Sequence, residues 1–77
     1  MNTNLITLDL REMHPIYRHD KIFEFWEKMT PGEVLQIIND HNPKPLHYQF
    51  EAEQKGKYEW GTVEEGPKDW IVNIKRI

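Results

Sequence analysis

The chain has 77 residues and a formal net charge of -3. This length leaves room for one hydrophobic core and predicts a single domain over residues 1–77. The chain has no cysteine, which excludes disulfides, thiolate metal sites and thiol catalysis. The acidic balance, with a pI near 5.7, disfavours nucleic acid as a partner, because phosphate-backbone binding requires a basic face. Met1 to Leu8 show no secretory signal, and no apolar run is long enough to span a membrane, so we expect a cytoplasmic protein without membrane contact.

The first predicted strand and the first predicted helix are separated by a loop that contains a proline. Ile6, Leu8 and Leu10 alternate with polar residues, which is typical of a strand with one buried face. Pro15 biases His14 towards an extended conformation, so we expect the helix to begin only beyond this loop. Apolar residues then recur every three or four positions and predict an amphipathic helix of about three turns, at Ile22, Phe23, Trp26 and Met29.

The next segment predicts a second strand and a second helix. Pro31 and Gly32 suit the central positions of a type II turn, and residues 34–38 form a nearly continuous apolar run that predicts a covered strand. A strand, a helix and a strand in this order imply a right-handed parallel unit. Residues 39–45 are rich in turn formers. The i,i+4 pairs that follow predict a helix ending at Gly56: Leu46 with Phe50, and Tyr48 with Ala52.

The last two strands are predicted to form an antiparallel hairpin. Alternation runs over residues 57–63 and again through Trp70, Val72 and Ile74, with turn formers between the two segments. We expect Tyr58, Trp60 and Trp70 to face the core rather than to form a stacking platform for bases. The order β-α-β-α-β-β predicts an α/β (α+β) two-layer sandwich, with a four-stranded mixed sheet and two helices on one face.

Several motifs along the chain follow the pattern of a known superfamily. They are Leu8-Asp9-Leu10-Arg11-Glu12, Arg18-His19, Ile22-Phe23, Asn39-Asp40-His41-Asn42-Pro43-Lys44-Pro45-Leu46, Tyr48-Gln49, Glu65-Gly66-Pro67 and Trp70. With them the chain resembles the SirA/TusA-like superfamily over nearly its whole length. More specifically, it resembles a cysteine-less branch catalogued as a domain of unknown function. Members of that branch often accompany hemerythrin-like or cupin domains in bacteria with anaerobic or nitrogen-oxide metabolism.

The resemblance implies the fold but not the chemistry of the sulfur carriers in this superfamily. Those proteins have a Cys-Pro pair at the end of the first loop, and the thiolate accepts a persulfide. Here His14 and Pro15 occupy the matching positions. An imidazole cannot carry a persulfide, so we do not expect sulfur transfer by this chain.

The carboxyl ends of the first two strands are the expected location of a site, because ligands of open α/β sheets bind there. Residues 11–19 and 39–45 form the two loops at this edge, and both lead into helix N-termini, which favour anions. The candidate residues for binding a ligand or partner are Arg11, His14, His19, Asp40, His41 and Lys44.

Two binding chemistries remain open for these residues. His14, His19 and His41 could ligate a transition metal or haem, with Asp40 or His47 as further ligands; the simpler alternative is that they cap or flank helices and turns. In the second reading, Arg11 and Lys44 hold a small anion. Against that reading, we expect a salt bridge between Arg11 and Asp40 that braces the two loops.

Catalysis has little support in the sequence. Serine and cysteine are both absent, and the adjacency of Asp40 and His41 does not by itself place their side chains together. We therefore predict a non-enzymatic binding or accessory module without a resident cofactor. Its expected partner is a protein or a small anionic or redox-linked ligand, in anaerobic, redox or nitrogen-oxide metabolism. The alternatives are a histidine-based metal or haem protein and, third, a docking partner in sulfur trafficking.

Overall fold

The computed structural model describes residues 4–77 and has the predicted order of elements. Residues 1–3 lie outside this range. They belong to the predicted domain over residues 1–77 and to the stretch from Met1 to Leu8 in which no secretory signal was found. The elements are β1 (Leu5–Asp9), α1 (Pro15–Glu27), β2 (Val34–Asn39), α2 (Lys44–Glu53), β3 (Tyr58–Glu65) and β4 (Trp70–Arg76).

The four strands form one mixed sheet in the order β1-β2-β4-β3, which confirms the predicted fold class. β1 is parallel to β2, whereas β4 is antiparallel to both of its neighbours, β2 and β3. β3 therefore runs in the same direction as β1 and β2. All three strands end at the same edge of the sheet, and the turn between β3 and β4 lies at that edge too.

The core lies between the helices and one face of the sheet. Leu35 and Ile37 of β2 are directly opposite Ile74 and Val72 of β4, and all four side chains are fully buried. Because side chains alternate between the faces of a strand, these residues define the covered face. The helices contribute the buried side chains of Leu46 and Phe50 from α2 and of Ile22 and Trp26 from α1.

Aromatic rings gather around Phe50 at the centre of α2. Its ring stacks on Phe23 with centroids 4.9 Å apart, meets Trp26 edge-on at 5.0 Å, and lies 5.4 Å from Tyr58 and 6.1 Å from Trp60. Aromatic pairs in these geometries add to the free energy gained by burial. The prediction that Tyr58 and Trp60 face the core is therefore confirmed.

The limits of both helices differ from the prediction. α1 begins at Pro15, so His19 lies within this helix and not in a loop; proline is tolerated in the first turn, where its missing N–H would have no helical partner. α2 ends at Glu53, three residues before Gly56. Gly56 instead adopts a φ of +80° in a turn that the bond from Lys57 N to the Gln54 carbonyl closes at 2.9 Å.

The turn before β2 forms as predicted. Glu33 N donates to the Thr30 carbonyl oxygen at 3.1 Å, and Gly32 has a φ of +97°, which a type II turn requires at this position. Over residues 4–77 no helix is long and apolar enough to cross a membrane.

Gly66 is the position in the β3–β4 turn where a side chain is least tolerable. Its φ is +61°, and a Cβ there would lie 2.6 Å from the indole ring of Trp70. We expect Gly66→Ala to lower the free energy of unfolding by about 1–3 kcal/mol, since the ring would have to move. Gly61→Ala is the matched control in β3, where the new Cβ would meet only the Asn73 carbonyl at 3.9 Å.

Urea unfolding of the two variants measures this difference. The control should stay within about 0.5 kcal/mol of the parent chain. Equal stability of the Gly66 and Gly61 variants would contradict the close packing of Trp70 on the turn.

Candidate functional site

Three loops meet where β1, β2 and β3 end, and we call this region the loop edge: residues 10–14, 40–43 and 66–69. Leu10 N donates to the Ile38 carbonyl at 2.9 Å, and an Arg11 Nη1 to Asp69 Oδ1 contact of 3.4 Å reaches the third loop. The prediction included only the first two loops at this edge of the sheet, because the sequence did not show that β3 runs parallel to β1 and β2.

The Arg18 side chain links the first two loops to α1. Its Nε donates to the Met13 carbonyl at 2.9 Å, and its Nη1 donates to Asn39 Oδ1 at 2.6 Å and to Asp40 Oδ1 at 2.8 Å. Its Nη2 donates to Asp40 Oδ2 at 3.1 Å and to the Arg11 carbonyl at 3.5 Å. A guanidinium has five N–H groups in a fixed fork, and each of them has an acceptor here.

Arg18 can make these bonds because it lies on the buried side of α1. Arg18, Ile22 and Trp26 are spaced by four residues and are the buried residues of the helix, and Arg18 is only 5% exposed. Side chains four apart share one face of a helix. A cation that falls in register with an apolar stripe is the sequence signal that could have identified this residue, because a buried charge needs partners.

Arg11 does not form the predicted salt bridge with Asp40. It pairs instead with Asp9, through Nη2 at 2.6 Å and Nε at 2.9 Å, and with Asp69. The Arg11 side chain and backbone N–H lower the pKa of Asp9 to about 2. The predicted brace between the loops does exist, but Arg18 supplies its cation, because the helix directs that side chain inwards while Arg11 lies on the exposed turn.

Asp40 and His41, whose adjacency in the sequence left the placement of their side chains open, are in contact. His41 Nδ1 lies 2.8 Å from Asp40 Oδ1, the oxygen that also accepts from Arg18. The hydrogen bonds from the Arg18 guanidinium hold the pKa of Asp40 well below its ordinary value, and the contact with His41 contributes less. The chain therefore has an Arg18–Asp40–His41 relay of hydrogen bonds from the buried helix face to an exposed imidazole, and we call it the clamp.

The other two histidines of the site have different surroundings. His14 is the N-cap residue of α1, and its Nδ1 accepts from Ile16 N at 3.4 Å. His19 Nδ1 lies 2.9 Å from Gln49 Oε1 of α2. The structure does not assemble the predicted three-histidine site, since residues 4–77 contain no group of three or more His, Asp or Glu side chains that could hold a metal ion.

A small pocket lies between the first turns of α1 and α2, and we call it the histidine pocket. Its lining includes Pro15, Arg18, His19, Asn39, His41 and Pro43, and its volume is about 70 Å³. A water molecule takes about 30 Å³ of liquid, so the pocket has room for an ion or a few atoms.

Lys44 is exposed and does not line the histidine pocket. It is the first residue of the helix, and its Nζ lies 5.8 Å above the Tyr48 ring. Together with His47, Trp60, Glu65 and Trp70 it lines a second cavity of about 190 Å³. The His47 ring stacks on Trp60 at 4.2 Å with an interplanar angle of 1°, and its side chain is half-buried.

The clamp should dominate the stability of the loop edge. Arg18→Met keeps most of the apolar stem but leaves Asn39 and Asp40 without their donor. Breaking a buried pair costs about 3–5 kcal/mol, and we expect about 3 kcal/mol because Asp40 stays half-exposed to water. Arg11→Met is the control. It removes an exposed pair and should cost far less; equal losses by chemical denaturation would contradict the clamp.

Acid should weaken the fold by protonating the two carboxylates that pair with Arg11 and Arg18. Asp9 and Asp40 have pKa values below the ordinary value of 3.8, so the unfolded chain binds more protons in acid than the folded chain does. Their stabilisation is present above about pH 4 and is lost as the pH falls towards 2. We expect the thermal midpoint to fall over this range, and Asp40→Asn to flatten its dependence on pH.

Circular dichroism melts from pH 7 to pH 2 measure this effect. Asp20→Asn, at an exposed position of α1, is the matched charge control and should keep the parent slope. A slope in Asp40→Asn that equals the parent slope would contradict the assignment of the acid sensitivity to the clamp.

Sequence similarity links the chain to a curated protein and to a protein family. The chain is 34% identical over 50 residues to a protein of Archaeoglobus fulgidus named "Putative sulfur carrier protein", and the match covers 65% of this chain. The matched region covers 57% of that relative's length. No solved structure matches the chain. A family model described as "Uncharacterized conserved protein (DUF2249)" matches residues 7–76, and the chain therefore belongs to the DUF2249 family.

Proposed function

We propose that the chain is a non-enzymatic binding module whose loop edge docks a protein partner. The observation that carries the proposal is the exposure of three large side chains on the helices that follow the braced loops. Ile16 is 68% exposed, Tyr17 is 60% exposed and Tyr48 is 63% exposed, and these residues lie in the first half of α1 and α2. Tyrosine is enriched at the energetic centres of protein interfaces.

The charges at the loop edge favour a protein over a small anion. Every N–H group of Arg18 is directed to an internal acceptor, and Arg11 already contacts the carboxylates of Asp9 and Asp69. An anion would have to displace these partners and lose its own hydration in the same step, which makes binding unfavourable. Lys44 offers a point charge but not a bidentate fork.

The clamp supports docking because it sets the shape of the surface before binding. Because the loops are already ordered before binding, the association carries no entropic cost of ordering them. Without serine or cysteine, the imidazole of His41 has neither of the common nucleophiles to activate. This chemistry supports a binding role more than a catalytic one.

The metabolic setting of the partner is also a proposal. The resemblance to a branch found beside hemerythrin-like and cupin domains supports anaerobic, redox or nitrogen-oxide metabolism. The name of the archaeal relative favours a second, narrower candidate, in which the partner belongs to sulfur trafficking. In that case the chain would dock without carrying sulfur itself, because it has no thiol.

Site-specific crosslinking in the native organism tests the proposal. A photoreactive amino acid at position 17 or 48 should yield one defined crosslinked protein. Position 5 is the matched control: Leu5 is 54% exposed but lies at the opposite end of β1. It should not yield that product.

Affinity for the purified partner then measures the contribution of the rings. We expect Tyr17→Ala or Tyr48→Ala to weaken binding at least about tenfold, the effect of truncating an aromatic hot spot. Leu5→Ala should leave the affinity unchanged. A partner that crosslinks from position 5 and not from positions 17 and 48 would contradict docking through the loop edge. A sulfurtransferase as the partner would support the narrower candidate.

A further inference from the structure

His19 and His41 line the same small pocket, although they come from different elements. His19 lies in the second turn of α1, His41 follows β2, and both side chains contribute to the histidine pocket. What a histidine can bind depends on which ring nitrogen carries the proton, and the hydrogen bond at the other nitrogen sets this. The hydrogen-bond partners of the two Nδ1 atoms indicate this state for both rings.

The hydrogen bond to Asp40 fixes the tautomer of His41. A carboxylate oxygen that accepts a hydrogen bond from a guanidinium carries no proton of its own to donate, and both oxygens of Asp40 accept from Arg18, at 2.8 and 3.1 Å. The Nδ1 atom of His41, 2.8 Å from Asp40 Oδ1, must therefore donate. In the neutral ring the lone pair then lies on Nε2, and the side chain is 61% exposed.

The tautomer of His19 follows from Gln49. Gln49 Nε2 donates to Glu53 Oε2 at 3.3 Å, because the opposite amide orientation would place two acceptors against each other. Gln49 Oε1 is thereby directed to His19 Nδ1 at 2.9 Å and accepts its proton. The lone pair of neutral His19 also lies on Nε2.

His14 has the opposite arrangement. Its Nδ1 accepts the backbone N–H of Ile16, so the neutral ring carries its proton on Nε2 and its lone pair is already in use. His14 is also absent from the histidine pocket. Of the three histidines that the sequence offered as metal ligands, only His19 and His41 combine a common pocket with a free Nε2 lone pair.

We propose that the Nε2 atoms of His19 and His41 form a two-imidazole site for one divalent transition metal ion of the Zn²⁺, Ni²⁺ or Cu²⁺ type. Imidazole suits these ions. Metal-binding histidines regularly donate their other N–H to a carboxylate or carbonyl oxygen, as Asp40 and Gln49 accept here. The pocket volume of about 70 Å³ fits an ion with a bound water.

The charge of Arg18 does not oppose this site. Arg18 also lines the pocket, but its guanidinium pairs with the Asp40 carboxylate at 2.8 Å. Two protein ligands leave the remaining coordination positions to water or to a side chain of another molecule. The site goes beyond the proposed docking function and does not depend on it, because metal binding needs no partner.

Calorimetric titration of the tag-free chain with Zn²⁺ and with Ni²⁺ at pH 7.5 tests the proposal. We expect one ion per chain, and we expect His19→Ala and His41→Ala each to weaken binding at least about tenfold. Gln49→Ala should weaken it about 10–100-fold, the range for removal of a hydrogen bond that orients a ligand. His14→Ala is the matched control and should leave the affinity unchanged.

Binding of Cu²⁺ reports directly on the ligand atoms, so it distinguishes a metal-binding role of the two histidines from a purely structural one. The electron paramagnetic resonance spectrum of the Cu²⁺ form should show coupling to two imidazole nitrogens, and to one in either His19→Ala or His41→Ala. Circular dichroism establishes that each variant is folded. Absence of one-to-one binding, or an equal loss in His14→Ala and His41→Ala, would overturn the metal site, while the crosslinking result would still decide the docking function.

Discussion

The buried guanidinium of Arg18 is the constraint on which the loop edge depends. A charge that is 5% exposed is stable only when its donors have acceptors. Those acceptors come from the loop after β1, from the last residue of β2 and from Asp40. The helix, both loops and two parallel strands are thereby held in one arrangement, and this arrangement places His41 and His19 beside the same pocket.

The same constraint limits the chemistry that the site can perform. Arg18 uses its donors internally, and Arg11 pairs with Asp9 and Asp69, so neither guanidinium is available to an external anion. Imidazole nitrogens of the loop edge and tyrosine rings of the two adjoining helices are exposed instead. Such a surface suits docking and metal coordination better than covalent transfer, and the sulfur chemistry that the name of the archaeal relative suggests would need a thiol that this chain lacks.

Features set by neighbouring residues could be predicted from the sequence, whereas pairings between distant ones could not. The turn at Pro31 and Gly32 and the covered strand β2 depend on local conformational preference and hydrophobic pattern, and both form as expected. The brace to Asp40 joins residues 22 apart, and several cations could have satisfied it. The prediction named Arg11, which lies in the loop after the first strand, and did not consider Arg18, whose four-residue register with Ile22 places it on the buried face of α1. The contact between His41 and Asp40 could not be predicted, because adjacency does not fix the direction of two side chains; it forms at the carboxylate oxygen that also accepts from Arg18.

Nuclear magnetic resonance of the arginine side chains tests the clamp most directly. If Arg18 directs all five N–H groups to acceptors, its Nη protons should give separate, slowly exchanging signals at neutral pH and 25 °C, because rotation and solvent exchange require those bonds to open. The exposed Arg11 should give averaged, fast-exchanging signals under the same conditions. Averaged Nη signals for Arg18 would contradict the account, since they would show a guanidinium that rotates freely in water.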